Sequence, residues 1–248
     1  MPAVTPAQCA EKIRRAGKIA VLTGAGMSTA AGIPDFRGPK GLYVTRAYDP
    51  ETVFEISCFD RDPKPFYKFS RDFLGLLSRI EPTSTHRFLA RLEAEGRDIG
   101  IVTQNIDGLH QKAGSHRVYP IHGDYQTSGC RRCGAIVGLP DLLELMEEAE
   151  VPVCRGCGGV IKPDIVFFGE NVRHLEESSR LAASSDLMLV LGSSLAVYPA
   201  AGLPDLAGGE VVIVNRGSPA VEARQGWHLA DADLDGFFHQ VEKKMLNF

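Results

Sequence analysis

Along the chain, short continuous apolar runs alternate with longer stretches in which apolar residues recur every three or four positions. Lys18-Ile19-Ala20-Val21-Leu22-Thr23 is one such run, closed by Gly24, and others lie at Ile99–Thr103, Val118–Ile121, Leu187–Leu191 and Val211–Val214. Runs this short, rich in branched residues and mostly bounded by Gly, Asn or Ser, predict strands buried on both faces of a parallel sheet. Helical spacing over Thr83–Glu95 and Leu175–Ala183 supplies helices between them. The alternation predicts an α/β protein with a Rossmann-like, doubly wound parallel sheet. Ahead of the first run, Thr5-Pro6-Ala7-Gln8 reads as a helix start, with Thr at the N-cap, Pro at N1 and Gln at N3. That helix runs through Arg15 and stops at Gly17.

Two stretches break the alternation. From about Gly38 to Ile80 no strand pattern occurs, and Phe66, Phe69, Phe73, Leu76, Leu77 and Ile80 recur at helical spacing, as a core-packed helical insertion would. Roughly Asp124 to Lys162 holds two close pairs of cysteines. The expected organisation is a large domain from residues 1–38, 81–123 and 163–248. The small domain then combines a helical module (39–80) with a four-cysteine module (124–162).

Composition narrows the function classes. With 248 residues, 44% apolar and 23% charged, the chain can bury one α/β core with a smaller insert. A net charge of -4 disfavours direct nucleic-acid binding, which usually needs a basic domain. No apolar run reaches membrane-span length and the N-terminus lacks a signal pattern, so no membrane partner is expected and a cytoplasmic location is. Thiols stay reduced there, which alters the reading of the cysteines. Cys9 and Cys58 stand alone and read as small buried thiols. Cys130-Arg131-Arg132-Cys133-Gly134 and Cys154-Arg155-Gly156-Cys157-Gly158 form two CxxC pairs at the spacing of a structural zinc site. Four thiolates leave zinc no open position, so the metal would be structural. Arg131, Arg132 and Arg155 are placed to offset its net negative charge, and the following glycines suit a turn through positive φ.

The chemistry gathers where strands end. Gly24-Ala25-Gly26-Met27-Ser28 follows the first run as a phosphate-binding turn would, with a helix N-terminus expected next. Thr29 stands where the ordinary dehydrogenase fingerprint has its third glycine. Beyond it, Asp35-Phe36-Arg37 places a carboxylate, an aromatic ring and a guanidinium in succession; the arginine suits a phosphate and the ring can shield a reactive centre. Thr103-Gln104-Asn105-Ile106-Asp107, Gly192-Ser193-Ser194 and Asn215-Arg216 each follow an apolar run, where α/β sheets place ligand-binding residues.

Taken together, GAGMS (24–28), GIPDFRG (32–38), TQNIDGLH (103–110), IHG (121–123), both CxxC pairs, IVFFGE (165–170), GSSLAVYPA (192–200) and VN (214–215) resemble the sirtuin family, in order and over nearly the whole chain. The absence of terminal extensions brings it nearest the compact bacterial and archaeal members. The resemblance implies a Rossmann-type NAD-binding domain, a small domain of zinc ribbon and helical module, and an active site in the cleft between them. It implies that Ala25, Phe36 and Arg37 line the dinucleotide, and that Gln104, Asn105, Ile106 and Asp107 contact the ribose and nicotinamide pocket. Ser193, Ser194, Asn215 and Ala232 would hold the adenosine half. Val166, Phe168, Gly169 and Val197 would receive an acetyl-lysine peptide by strand addition.

His122 matches the family's catalytic histidine, and an imidazole of ordinary pKa, about 6.5, suits removal of a ribose hydroxyl proton near neutral pH. Asn105 and Asp107 would grip the nicotinamide carboxamide. The implied activity is NAD-dependent deacetylation of acetylated lysine in proteins or peptides, yielding nicotinamide, free lysine and O-acetyl-ADP-ribose. Members that prefer succinyl or malonyl groups carry a Tyr-x-x-Arg pair. Here Tyr67 is followed by Ser70 at that spacing, and Arg71 comes one residue late, so deacetylation is expected over desuccinylation. Asp124, Lys162 and Ser193 depart from the commoner Asn or Ser, Arg and Thr while keeping polar function. Rival readings are a NAD-dependent oxidoreductase, a zinc-ribbon binding module and a mono-ADP-ribosyltransferase.

Overall fold

The computed structural model describes residues 1–34, 48–217 and 219–246. Among them are nine strands: β1 (Lys18–Thr23), β2 (Asp98–Thr103), β3 (Val118–Pro120), β4 (Gly123–Cys130), β5 (Ile136–Gly138), β6 (Ile161–Ile165), β7 (Leu187–Leu191), β8 (Glu210–Asn215) and β9 (Trp227–Asp231). The chain divides into two compact units, one of residues 1–33, 81–121 and 174–248, the other of residues 34–80 and 122–173.

The first unit is built on a six-stranded sheet in the order β3-β2-β1-β7-β8-β9, every pairing parallel. Strand order reverses between β1 and β7, which makes this the doubly wound arrangement predicted. The two middle strands are apolar throughout because both faces are covered: every residue of β7 is buried, as is all of β1 after Lys18. Helix Pro6–Arg15 starts as its sequence predicts. Thr5 Oγ1 accepts from Gln8 N–H, Gln8 Oε1 accepts from Thr5 N–H at 2.9 Å, and Pro6 occupies the first turn. Its face of Cys9, Ala10 and Ile13 joins Val21, Leu189, Val212, Phe237 and Val241 in one core. The edge strand β9 is an addition to the five predicted runs. Trp227-His228-Leu229-Ala230-Asp231 is only intermittently buried, so it lacks the continuous apolar signal of a central strand.

The second unit has an antiparallel sheet in the order β5-β4-β6 and four described helices, Pro50–Val53, Ile56–Arg61, Lys64–Leu77 and Leu139–Glu148. The predicted aromatic stripe packs inward. Phe66 and Phe69 are buried, and they meet Phe54, Phe59 and Phe167 at ring separations of 4.9–6.3 Å. Aromatic edges against faces at such distances add to simple area burial. No described helix is long and apolar enough to cross a membrane.

Candidate active site and metal centre

Parallel register brings the predicted strand-end residues of the first unit to one edge. Thr23 pairs with Thr103 and Leu191, Leu191 with Val214, and Asn215 with Asp231. Gly24, Gln104, Gly192, Arg216 and Ala232 therefore leave the sheet at the same end, around the point where strand order reverses, the usual ligand crevice of such sheets. The glycines there have a reason beyond approach to a phosphate. A Cβ on Gly24 would lie 2.8 Å from Gly192 O, one on Gly26 2.8 Å from Gly192 Cα, and one on Gly192 2.4 Å from Met27 N. The two turns interlock through backbone, with Gly26 N–H donating to Gly192 O at 2.9 Å. The helix expected after Gly26 is instead two single 3-10 turns, Ala25–Met27 and Thr29–Ala31. Thr29 is exposed and its hydroxyl donates to Gly26 O. Asp35, Phe36 and Arg37 lie outside the described residues.

A directional hydrogen-bond chain occupies this edge. Asn105 Nδ2 donates to Gly24 O at 3.1 Å and to Ser28 Oγ at 3.2 Å, and Ser28 Oγ donates to Asp107 Oδ2 at 2.6 Å. Both Asn105 amide hydrogens are thus engaged, and Oδ1 is its remaining acceptor. Burial pushes the Asp107 carboxyl above its ordinary pKa, against the Ser28 hydroxyl and the Leu109 N–H that donate to it. Gln104 Nε2 reaches across the reversal to Ser193 Oγ at 2.9 Å. Ile106 is half-buried beside these groups in sequence, and Ser194 is exposed. At the far strands, Asn215 donates to Arg216 O, Ala232 N–H donates to Asn215 O, and Arg216 pairs with Asp233 at 3.0 Å. Val197 is half-buried in the 192–200 segment. Ser28 is absent from the predicted set. Its role as the link between Asn105 and Asp107 appears only when residues 79 apart in sequence meet.

In the second unit, half-buried His122 directly precedes β4. Gly123 has φ +73°, and a Cβ there would stand 1.7 Å from Asp164 O, so only glycine lets the chain cross β6 at this point. His122 O accepts from Val166 N–H at 2.9 Å, which ties the histidine to the 166–169 segment. Phe168 differs from a free strand edge. Its N–H donates to Phe54 O at 2.7 Å and its O accepts from Ile56 N–H at 3.1 Å, while the residue stays 49% exposed. Gly169 turns the chain at φ +89°. The segment is braced from below by Lys162, whose buried ammonium donates to Ile165 O at 2.7 Å and Glu170 Oε2 at 2.8 Å and sits 4.0 Å over the Phe167 ring. Glu170 Oε2 in turn accepts from Phe167 N–H.

The four paired cysteines converge. Their sulfurs lie within 4.8 Å of one another, with Cys130–Cys157 at 3.5 Å and Cys133–Cys154 at 3.8 Å. These separations exceed the ~2.05 Å of a disulfide. They match the ~3.8 Å edge of a tetrahedron with Zn–S bonds of ~2.3 Å. Gly134 and Gly158 turn at φ +73° and +70°, as the sequence predicts. Cys130 Sγ accepts from the Arg132 and Cys133 N–H groups, and those backbone donors, Cys133 first, bring its thiol down to about 6. The donor set fits structural zinc held by Cys130, Cys133, Cys154 and Cys157. The arginines compensate less directly than expected. Arg131 pairs with Asp60 and Arg155 with Glu144 and Glu148, while Arg132 donates to Cys157 O.

Comparison with known proteins follows the same lines. The Sir2 family model matches residues 24–199. The NAD-dependent protein deacetylase of Thermotoga maritima is 45% identical over 201 residues, covering 79% of this chain and 80% of its own. That of Saccharolobus solfataricus is 43% identical over 209 residues, covering 83% of each. Among solved structures, a Sir2–p53 peptide–NAD+ complex superposes with TM-score 0.85 at 38% identity over 94% of this chain and 95% of its own. A Sir2 bound to acetylated peptide gives 0.86 at 35% identity, over 97% and 98%. The matched segment spans the glycine turn, the strand-end polar chain, the IHG histidine and the cysteine cluster, and the chain belongs to the Sir2 family, the sirtuins.

Proposed function

We propose that the protein is an NAD-dependent protein lysine deacetylase that transfers the acetyl group of acetyl-lysine to ADP-ribose, releasing nicotinamide and O-acetyl-ADP-ribose. The observation that carries this reading is the Asn105–Ser28–Asp107 chain beside the interlocked glycine turns, in a chain whose family relatives are NAD-dependent protein deacetylases. Asp107 accepts from the nicotinamide amide, each of its oxygens already steadied by one protein donor. Asn105 Oδ1 accepts from the same amide or a ribose hydroxyl. Gln104 and Ile106 flank the nicotinamide ribose, and Gly24, Ala25, Gly26 and Thr29 face the pyrophosphate; Asp35, Phe36 and Arg37 are assigned to the dinucleotide by the family motif alone. Gly192, Ser193, Ser194, Asn215, Arg216 and Ala232 take the adenosine half.

His122 takes the ribose hydroxyl proton that lets the acyl group pass from lysine to ribose. Val166, Gly169 and Val197 are assigned to recognition of the acetyl-lysine peptide. Phe168 serves through its side chain, since Phe54 and Ile56 already hold its backbone. Zinc maintains the cysteine module. A cytoplasmic setting would keep the four clustered thiols reduced and able to hold the metal.

Mass spectrometry of the products from acetyl-peptide and NAD tests the reading. Nicotinamide with O-acetyl-ADP-ribose is the expected pair, whereas NADH or an ADP-ribosylated protein in its place rejects it. His122→Ala should lower turnover at least ~100-fold with zinc content and fold intact. A folded His122→Ala variant that turns over normally removes His122 from the chemistry.

A further inference from the structure

Lys162 of β6 is a cation inside the second unit that the proposed chemistry leaves without a task. Its side chain is only 7% exposed, and its ammonium sits 4.0 Å over the Phe167 ring. Two contacts hold it there. Nζ donates to Ile165 O at 2.7 Å and to Glu170 Oε2 at 2.8 Å, with Pro163 O farther off at 3.5 Å. Burial pulls the ammonium below its ordinary pKa, and the Glu170 carboxylate works against that. An apolar side chain of similar length would fill the space beside Phe167 without the desolvation cost, so packing alone does not call for a cation here.

What the cation holds is the peptide unit between residues 165 and 166. The carbonyl of that unit accepts from Lys162, and its N–H, that of Val166, donates to His122 O at 2.9 Å. A trans peptide is planar, with carbonyl and N–H pointing in opposite directions, so fixing one fixes the other. The second contact works on the turn that follows. Glu170 Oε2 also accepts from Phe167 N–H at 3.0 Å, and Glu170 N–H donates to Phe167 O at 3.0 Å, which closes residues 167–170 into a turn through Gly169. We propose that Lys162 is a positioning residue for acyl transfer: through one peptide plane it sets the backbone at His122, and through Glu170 it holds the turn that carries Phe168 and Gly169. The role rests on the deacetylase reading of His122 and of the 166–169 segment. It asks for a compact charge with several donors on a thin stem, which lysine supplies.

Amide exchange and steady-state kinetics test the role separately. A wild-type enzyme without deacetylase activity would reject the deacetylase reading, while exchange still decides the clamp on His122. Lys162→Met keeps the stem and deletes the donors. By nuclear magnetic resonance it should speed Val166 N–H exchange about tenfold more than that of Leu189 in β7, the size of one lost charge-assisted hydrogen bond. Equal acceleration at both amides, or none at Val166, overturns the clamp. In kinetics, Lys162→Met should lower kcat and raise the acetyl-peptide KM about tenfold, with the NAD KM within about twofold of wild type. Lys162→Arg, which keeps the charge and donors, should recover most of both losses. A lower kcat at wild-type peptide KM would report a smaller fraction of folded enzyme and overturn the positioning role. Should Lys162→Met not fold, Glu170→Leu decides, since the Glu170 side chain is partly exposed and easier to replace. It should raise the peptide KM at least about threefold, and a wild-type peptide KM in that variant overturns the proposal.

Discussion

Gly192 shows how one hydrogen in place of a methyl group shapes the strand edge. Its φ of +63° and its 2.4 Å approach to Met27 N, measured from an added Cβ, penalise any other residue twice. Gly192→Ala should cost about 2–4 kcal/mol in urea unfolding, combining left-handed strain with displaced backbone. Gly96→Ala is the control, since Gly96 has φ +85° with nothing within 4 Å of its added Cβ. It should cost only the conformational part, about 1–2 kcal/mol. Equal losses in the two variants would show that the interlock contributes nothing. The same residue scale marks what could be read in advance. Gly24 and Gly26 stand out in the sequence, but the contact with Gly192 that demands them is created by the pairing of β1 with β7. The cysteines needed no such help, because two CxxC pairs specify their chemistry by spacing. Ser28 looked like any polar residue after a glycine turn until Asp107 was brought against it.

Among the elements, helix Lys64–Leu77 bears on acyl preference. Ser70 is buried and its Oγ lies 2.9 Å from Tyr125 Oη, while Arg71 donates to Met146 O at 2.9 Å and Ala149 O at 2.6 Å. Arg71 thus closes the C-terminal end of helix Leu139–Glu148, where open carbonyls welcome a cation. Arg71→Ala should destabilise the protein by about 1–2 kcal/mol without changing its acyl preference. Acetyl-lysine peptide should show the higher kcat/KM against succinyl-lysine in both forms, and a reversed preference in the wild type would refute the assignment. The central strands were legible because burial on both faces leaves an unbroken apolar run. β9 was not, since an edge strand keeps polar residues such as His228 and Asp231. β4 was obscured as well: Tyr125-Gln126-Thr127-Ser128 has no apolar period, and its pairing with β5 and β6 follows from the cysteine hairpins.

For the whole molecule, two buried imidazoles predict an acid limit: His86, which caps the start of helix Ser84–Ala94, and His110 of helix Leu109–Lys112. Burial lowers His86 from 6.5 to about 4, with Asp235 working against it and Arg87 with it, and holds His110 well below its ordinary value. The unfolded chain takes up these protons near pH 6.5 while the folded chain resists them until about pH 4. Their neutral burial is therefore fully tolerated above pH 6.5, and stability falls as pH drops from there towards 4, by about 3 kcal/mol at most from His86. Replacing His86 by Gln, an ordinary residue at this capping position, should flatten the denaturation midpoint across that window. A midpoint as steep as the wild type would contradict the histidine origin. The order of the sheet also has a consequence for synthesis on the ribosome. β1 meets β2 once residue 103 has been made, but its other neighbour, β7, ends at Leu191. Through all the intervening translation the most apolar strand of the early chain keeps an open edge, an invitation to pair with another molecule. A chain stopped at residue 186 should accumulate as aggregate or be degraded, whereas one extended past β8 should remain dispersed. The cost of placing the oldest strand at the centre of the sheet is a long wait for its partner, during which the nascent protein depends on being kept apart from its neighbours.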